Sequence, residues 1–450
     1  MPTPSPKQID IVSGTVPLTP RDRLRFGQQQ RNTLSRSQLG QLQRRERAFD
    51  PIQLLLGATE GRVPEILPVK YARMSASPFA FFRGAVPIMA ADLASHPHTG
   101  LTVQLCGDAH VQNLGCFEGP DARLVFDLND FDETIPGPWE WDVKRMAASI
   151  VLAGFDSEHK GAACLSAAET FACAYCNTIE QLAEEPILVA ARFQIHRLGK
   201  AQPVSAALQQ AQRASPADLI AKYTETSRRK IRFKNIDRQI WRLQQNDRQA
   251  VLQSLPHYRE SLAAERLHWF EFFQPVDVAF KVVGTGSVGL RDYVVLMEGN
   301  GAGDPLFLQI KQEVASAYAP YLHHAHFANH GQRVVDGQRK IQPQSDLLLG
   351  WTRIGDHDYL VRQLNDHKGK IDLKNLRGAG LNALATVAGQ LLARGHARSG
   401  DALAIKGYIG SGGKVAKSIT KFAADYAAVT EADFDALQKA IKAGRVKVAA

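Results

Sequence analysis

The sequence predicts an α+β protein in which a small antiparallel sheet lobe is joined to a larger helical lobe. Three observations lead to this prediction. Apolar residues occur at strand spacing through 278–313, where glycine-rich turns separate the runs. Apolar residues recur at helical spacing through 155–270, which we expect to be helical throughout, and through 378–397. Between Val103 and Glu133, two short apolar runs enclose a polar loop and lead into a group of carboxylates.

The chain length indicates more than one lobe, because 450 residues exceed the size of an ordinary single core. We divide the chain into four parts by composition and periodicity. They are a basic N-terminal arm and helix (1–66), a helical lobe with the polar loop (67–269), a glycine-rich sheet lobe (270–368) and C-terminal helices that complete the helical lobe (369–450).

Composition indicates a cytoplasmic protein. No apolar run approaches the roughly 20 residues that span a bilayer, and the first residues lack the apolar segment of a signal peptide. The five cysteines have no spacing typical of a disulfide framework, which fits a reducing compartment. We therefore expect no membrane partner.

The net charge of +9 is compatible with two kinds of partner. A basic surface attracts nucleic acid, and a basic cleft attracts substrates that carry phosphate. The basic residues are dispersed, and no helix-turn-helix, zinc-finger or RNP pattern is present. Nucleic-acid binding is therefore kept as an alternative and is not favoured.

The segment 103–133 contains the residues best suited to chemistry: VQLCGDAHVQNLGCFEGPDARLVFDLNDFDE. Carboxylates where strands run into loops are costly to bury without a partner. Carboxylate and amide oxygens are also the ligands that Mg²⁺ prefers beside substrate phosphates. In phosphoryl transfer one Asp orients or deprotonates the acceptor hydroxyl, while an Asn and a second Asp hold the metal. The alternative is a β-hairpin with a solvated acidic tip.

A second segment has the pattern of a phosphate-covering hairpin. Gly284, Gly286 and Gly289 spell G-x-G-x-x-G, with Ser287 inside the loop. A strand follows these glycines, whereas a helix follows them in a dinucleotide-binding fold. The next strand, LFLQIK, ends in Lys311, which an ATP-binding lobe would use to hold the α- and β-phosphates. The alternative is a small sheet with a flexible turn.

The lysine of such a lobe is usually paired with an acid. We favour Asp336, on the helix that follows, over Glu313, which shares the strand face of Lys311. Arg73 and Arg83 flank a group of aromatic residues, where a guanidinium usually has a carboxylate or phosphate partner. We favour structural ion pairs, although both arginines precede the polar loop closely enough to face it.

GDAHVQN followed by LVFDLNDFD resembles the catalytic loop and metal-binding strand of aminoglycoside-phosphotransferase and protein-kinase-like enzymes. The resemblance implies ATP and Mg²⁺ as cofactors. It implies the following roles: Asp108 as catalytic base with His110 beside it, and Asn113 and Asp127 as metal ligands, with Asp130 as the rival of Asp127. This sequence departs from the pattern at Cys106, where those enzymes usually have His.

Supporting residues follow from the same resemblance. These enzymes have an Asp-containing helix after the metal strand that braces the catalytic loop, and Asp142 is the matching residue. His396 and Asp401, after a buried helix, are further candidates for support of the site.

The order of the two segments is the reverse of that in kinase-like enzymes, where the nucleotide lobe comes first. The resemblance therefore implies a circularly permuted, two-lobed kinase-like fold, which is physically tolerable because chain termini often lie close together. It predicts that the helix at 378–397 lies against residues 100–113.

Over residues 70–402 the chain also resembles the bacterial family labelled domain of unknown function 2252. The matching stretches include QLCGDAHVQNLG, FDLNDFDETIPGPWEWDVKR and VGTGSVGLRDYVVLMEG. We predict an ATP- and Mg²⁺-dependent phosphotransferase that acts on a hydroxyl-bearing small molecule. The alternatives are a non-catalytic nucleotide- or nucleic-acid-binding protein, and nucleotidyl transfer on the same fold.

Overall fold

The computed structural model describes residues 18–42, 47–194, 202–213, 216–227, 230–282, 288–301, 303–322, 326–364 and 369–449. Three residues of the predicted phosphate-covering loop, Gly284, Gly286 and Ser287, lie outside the described residues. The protein is a mixed α+β protein with several antiparallel sheets, as the sequence predicts.

Five helices precede the polar loop. They are α1 (Pro20–Thr33), α2 (Pro51–Gly57), α3 (Leu67–Met74), α4 (Pro78–Gly84) and α5 (Val86–Ala94). A capping side chain followed by proline starts three of them: Thr19, Asp50 and Ser77 accept backbone N–H groups of α1, α2 and α4. Such residues satisfy donors that the first helical turn leaves unpaired.

Four short strands frame the polar loop. They are β1 (Thr102–Leu105), β2 (Leu114–Glu118), β3 (Leu124–Leu128) and β4 (Ile135–Pro138). β1 pairs antiparallel with β4, and Leu105 lies opposite Ile135. β2 pairs antiparallel with β3, and Leu114 lies opposite Leu128. The end of β1 therefore lies beside the start of β4, and the start of β2 beside the end of β3. Consequently the connections 106–113 and 129–134 run side by side.

The next part of the chain is mostly helical. It contains α6 (Trp139–Asp156), α7 (Gly161–Glu184), α8 (Ile187–Arg192), α9 (Gln202–Arg213) and α10 (Pro216–Tyr223). Nearly all of α6 is buried, in the core that it forms with α7. The bundle predicted from helical periodicity is thus present in this region.

The prediction that 155–270 is helical throughout is wrong between 224 and 242. Here the chain forms β5 (Thr224–Ser227), β6 (Lys230–Phe233) and β7 (Ile240–Arg242). Ile231 and Phe233 alternate with charged residues, which is the period of a strand. Phe233 and Ile240 are fully buried beneath the main sheet, and β7 is its edge strand. Burial of these side chains against the sheet therefore outweighs the helical tendency of the surrounding sequence.

The sheet lobe follows. Its elements are α11 (Gln245–Gln253), α12 (Leu255–Glu260), α13 (Ala264–Phe270), β8 (Gln274–Lys281), β9 (Asp292–Glu298), β10 (Pro305–Glu313), α14 (His330–Ile341), β11 (Gly350–Ile354) and β12 (His357–Gln363). The six strands have the order β11-β12-β10-β9-β8-β7, and all neighbours are antiparallel. The strands expected after the glycine segment and the hairpin near residue 355 are confirmed.

The last elements return the chain to the helices. They are β13 (Gly369–Lys370), α15 (Gly380–Ser399), α16 (Ala402–Ile409) and α17 (Gly413–Lys442). β13 pairs with β2, so the chain leaves the sheet lobe directly beside the polar loop. α15 packs on α7 and on β1, where the Gln104 N–H donates to Ser399 Oγ at 3.2 Å. The helix predicted at 378–397 therefore lies against the strand that leads to Asp108.

Candidate active site

The pairing of the four short strands brings the loop that contains Asp108 (106–113) beside the segment that contains Asp130 and Asp132 (129–134). The Asn129 N–H donates to the Asn113 carbonyl at 3.1 Å, which ties the segment after β3 to the loop after β1. Within that loop, Asn113 Nδ2 donates to the Asp108 carbonyl at 2.8 Å. The loop is therefore closed on itself and joined to the segment that contains Asp130.

A buried carboxylate on α6 fixes the start of the loop. Asp142 accepts the Cys106 N–H at 2.7 Å and the Gly107 N–H at 3.0 Å. Gly107 has φ +84°, and a Cβ there would collide with the Glu133 carbonyl, so only glycine fits. Asp142 thus takes the bracing position that the resemblance implies for it.

The two other expected supporting residues have different positions. His396 on α15 lies behind Asp142, with Nε2 at 3.3 Å from its Oδ2, and Nδ1 contacts the Tyr175 hydroxyl at 2.8 Å. It therefore supports the carboxylate that holds the loop. Asp401 instead caps α16 and forms an ion pair with Arg23 at 2.7 Å, on the α1 side of the molecule.

Asp108 lies in the loop with two nitrogen-bearing neighbours. Arg145 Nε on α6 donates to its carboxylate at 2.9 Å, and His110 Nε2 lies 3.6 Å away. Burial raises the pKa of Asp108, but the charges of Arg145 and His110 outweigh it and hold this pKa below its ordinary value. Burial lowers the pKa of His110. Asp108 is therefore an ionised acceptor at neutral pH.

Lys311 reaches the acidic segment from the sheet lobe. It is buried on β10, and its Nζ forms an ion pair with Asp132. The sequence favours Asp336 as its partner, but Asp336 is exposed on α14, where the charges acting on it are those of Arg339 and Lys340. The helix turns this residue to solvent, so the structure corrects this pairing.

Glu313, the alternative partner, is buried two residues from Lys311 on the same strand. Its Oε1 has no hydrogen-bond partner among the described residues. Burial raises its pKa well above the ordinary value. It therefore forms no ion pair with Lys311, although the lysine charge acts on it.

Asp130 and Asp132 form a closely coupled acid pair. Burial and the neighbouring charge of Asp132 raise the pKa of Asp130. Burial also raises the pKa of Asp132, but the charge of Lys311 outweighs it and lowers this pKa to about 2. One carboxylate of the pair is thus ionised through Lys311, and the other would be ionised by a further cation.

Asp127 has a different environment. It is fully buried at the end of β3, where one oxygen forms an ion pair with Arg394 of α15 and accepts the Leu128 N–H at 2.8 Å. Its second oxygen has no partner among the described residues. The two candidate metal ligands therefore differ in their surroundings. Asp130 belongs to the acid pair beside Lys311, whereas Asp127 is paired with Arg394 and joins β3 to α15. In the described part of the chain, no group of three or more His, Cys, Asp or Glu side chains is arranged to hold a metal ion.

A small cavity of about 10 Å³ lies beneath the glycine hairpin. Its polar lining residues are Lys311 and Asp292, whose Oδ1 has no partner among the described residues. Its remaining walls are formed by the hairpin and by one residue before α3: Ile66, Phe280, Val282, Val288, Gly289 and Leu290. Gly289, the one glycine of the predicted loop among the described residues, has φ +98°, a backbone conformation that favours glycine.

The segment that precedes α3, residues 62–66, covers this cavity. The Val63 N–H donates to the Gly289 carbonyl at 2.7 Å, and the Arg62 guanidinium donates to the Val288 carbonyl at 2.8 Å. Ile66 contributes to the cavity wall. The sequence analysis did not identify this segment, because its few residues have no periodic pattern.

Three other residues of the site were missed. Arg145 and Arg394 lie in apolar helices, and an arginine in such a position is a usable signal because it needs a buried carboxylate. Asp132 was one of four neighbouring acids, and only the approach of Lys311 distinguishes it.

Of three comparisons with known proteins, one finds a match, and it is to a protein family. No curated protein and no solved structure matches the chain. None of the described helices is both long and apolar enough to cross a membrane. The family DUF2252, described as an uncharacterized protein conserved in bacteria, matches residues 62–440, which include both acidic segments and the sheet lobe. The chain therefore belongs to the DUF2252 family.

Proposed function

We propose that this protein is an ATP- and Mg²⁺-dependent phosphotransferase with a permuted, two-lobed kinase-like fold, acting on a hydroxyl group of a small molecule. The observation that carries the proposal is the ion pair between Lys311 and Asp132, which are 179 residues apart in the chain. It joins the strand after the glycine hairpin to the acidic segment that follows the Asp108 loop.

The topology of the sheet lobe supports the proposal. The glycine hairpin β8–β9, the lysine strand β10, the helix α14 and the hairpin β11–β12 follow one another in the chain order of a kinase nucleotide lobe. The chain then passes through β13 to α15, which packs on β1. A permuted kinase-like chain would require this packing.

Each group of residues has a role in the proposal. Lys311 and the glycine hairpin hold the nucleotide phosphates, and Asp130 and Asp132 with Asn113 hold the metal. Bound Mg²⁺ would neutralise charge on the transferred phosphoryl group. The acid pair fits such an ion, because burial and the charge of Asp132 raise the pKa of Asp130, and a bound cation would offset both.

Asp108 would orient the acceptor hydroxyl. As the acceptor oxygen bonds to the γ-phosphorus, the bond to the β-phosphate oxygen breaks, ADP leaves, and the hydroxyl proton passes to Asp108. The low pKa of Asp108 makes it a weak base. This suits a loose transition state, in which positioning and charge stabilisation contribute most of the catalysis.

Nucleotide binding also requires a movement. Ligand pockets commonly have volumes of about 300–1,000 Å³, and the cavity under the hairpin is far smaller, at about 10 Å³. The residues that close it are Arg62 and Val63, through two hydrogen bonds to the hairpin backbone. The proposal therefore includes displacement of segment 62–66 when the nucleotide binds.

The test is transfer of labelled γ-phosphate from ATP, with Mg²⁺, to pools of hydroxyl-bearing metabolites. We expect a labelled product with the wild-type protein and a loss of at least about a hundredfold with Asp108→Asn. Absence of both ATP hydrolysis and transfer across these pools, or equal rates in the two proteins, would contradict the proposal.

A further inference from the structure

The C-terminal end of α4 lies against the Asp108 loop. The Arg145 guanidinium donates both to the Phe82 carbonyl, at 3.1 Å, and to the Asp108 carboxylate. The Phe79 ring lies edge-on to His110, with 6.2 Å between ring centroids. The charge of Asp108 acts on Arg83, the residue after Phe82, so the two side chains lie near each other.

Arg83 has no anionic partner. The sequence predicts a structural ion pair for it, but Arg83 forms no hydrogen bond or ion pair with any residue in the described part of the chain. Its Nε is buried without a partner. The charges of Asp108 and Asp130 act on it from nearby. A partly buried guanidinium without a partner is costly, so the site is arranged for an anion that reaches Arg83 from outside.

A second cation lies on β13, where Lys370 pairs with Gly115 of β2, two residues after Asn113. Lys370 on β13 is exposed, and its ammonium has no ion pair among the described residues. The charges of Arg83 and Asp130 both act on it. Two cations from separate elements, α4 and β13, therefore lie close to Asp130.

We infer that Arg83 and Lys370 form an anion subsite that binds a phosphate or carboxylate group of the acceptor beside Asp108. The inference rests on the proposed function, which assigns the nucleotide phosphates to Lys311 and the glycine hairpin. The anion subsite restricts the acceptor to an anionic molecule that also has a free hydroxyl. Arg83 provides a planar donor group suited to such oxyanions.

The experiment measures stabilisation of the full chain against thermal unfolding by inorganic phosphate, with and without saturating Mg-ADP. The variants are Arg83→Gln and Lys370→Gln, and the matched control is Arg123→Gln, which removes the same charge from an exposed side chain in the β2–β3 turn. We expect phosphate to stabilise the wild type and to add to the effect of Mg-ADP. Its apparent Kd should rise about tenfold or more in Arg83→Gln, by a smaller factor in Lys370→Gln, and less than twofold in the control.

Three results would overturn the inference: unchanged phosphate affinity in Arg83→Gln, an equal loss in Arg123→Gln, or full competition between phosphate and ADP in the wild type. If Arg83→Gln does not fold, Lys370→Gln decides, because its exposed side chain can be changed without loss of the fold. A failure of the proposed function is distinguishable, because Mg-ADP would then have no effect while phosphate binding could still be measured.

Discussion

Lys311 of β10 and Asp132 after β3 form an ion pair that joins the six-stranded sheet to the segment between β3 and β4. Burial lowers the pKa of Lys311, but the charges of Asp132 and Asp130 outweigh it and raise this pKa. Lys311 is therefore charged inside the protein, and the two carboxylates stabilise its charged form there.

Lys311→Met is expected to destabilise the protein by about 3–5 kcal/mol, because it removes the buried cation that pairs with Asp132. Denaturant unfolding measures the change. Lys421→Met is the matched control, since Lys421 forms an exposed pair with Asp425 one helical turn away and should cost at most about 0.5 kcal/mol. Equal losses in the two variants would show that the Lys311 pair contributes nothing specific.

Asp127→Asn and Asp130→Asn should have opposite effects on stability. The first leaves Arg394 buried without its counter-ion and should cost about 3–5 kcal/mol. The second removes a buried carboxylate whose pKa is already raised by burial, so stability at neutral pH should be unchanged or increased. Unfolding of both variants without nucleotide measures this, and a larger loss for Asp130→Asn would reverse the assignment of the two residues.

Asp142→Asn should loosen the start of the Asp108 loop. The Asn amide group can replace only one of the two carboxylate acceptors that bind the Cys106 and Gly107 N–H groups. Hydrogen exchange should therefore accelerate in peptides that cover 106–113. The control is Asp50→Asn, which weakens the cap of α2 and should leave exchange at 106–113 unchanged. Faster exchange of this loop in both variants would indicate a global effect instead.

Asp292 should make stability depend on pH. Burial raises its folded-state pKa from 3.8 to about 6, whereas the unfolded chain keeps the ordinary value. Between these values the folded protein binds the extra proton, so this contribution stabilises the fold as pH falls and is lost as pH rises through about 6. Asp292→Asn cannot titrate, so its stability relative to wild type should be higher at pH 8 than at pH 4 by up to about 3 kcal/mol.

Unfolding free energies across this pH range measure the Asp292 effect. Asp237→Asn, at a highly exposed carboxylate, is the control. A pH-independent difference between Asp292→Asn and wild type would refute the prediction.

Arg62→Ala should make the cavity under the glycine hairpin easier to open, because it removes the hydrogen bond to the Val288 carbonyl. Under the proposed function, the association rate of a fluorescent ATP analogue should rise several-fold. Arg445→Ala, a change of the same type near the C-terminus, is the control. An unchanged or slower association would show that segment 62–66 does not limit access.

The spacing of apolar residues and glycines was sufficient to predict those helices and strands whose residues carry the pattern themselves. The glycine and apolar spacing around Gly289 and Lys311 predicted the hairpin and the lysine strand, and the apolar helix at 378–397 was placed correctly against β1. The strands at 224–242 were missed because the helical pattern of the surrounding sequence outweighs the short alternation at Ile231 and Phe233, and because their burial depends on the distant strands β9 and β10.

Partner choice could not be predicted from the sequence for the same reason. Asp132 and Asp336 are both acids, but only the fold decides which one reaches the Nζ of Lys311. The interior position of Asp127 also depends on a residue of another element, Arg394. Residue types were therefore predictable, and the distances between them were not.

Calorimetric titration of Mg-ATP into the wild-type protein and into Asp130→Asn tests the central claim most directly. We expect one binding site in the wild type and an affinity at least about tenfold lower in Asp130→Asn, since the acid pair would lose a metal ligand. Absence of binding to the wild type, or equal affinity in the two proteins, would contradict the account.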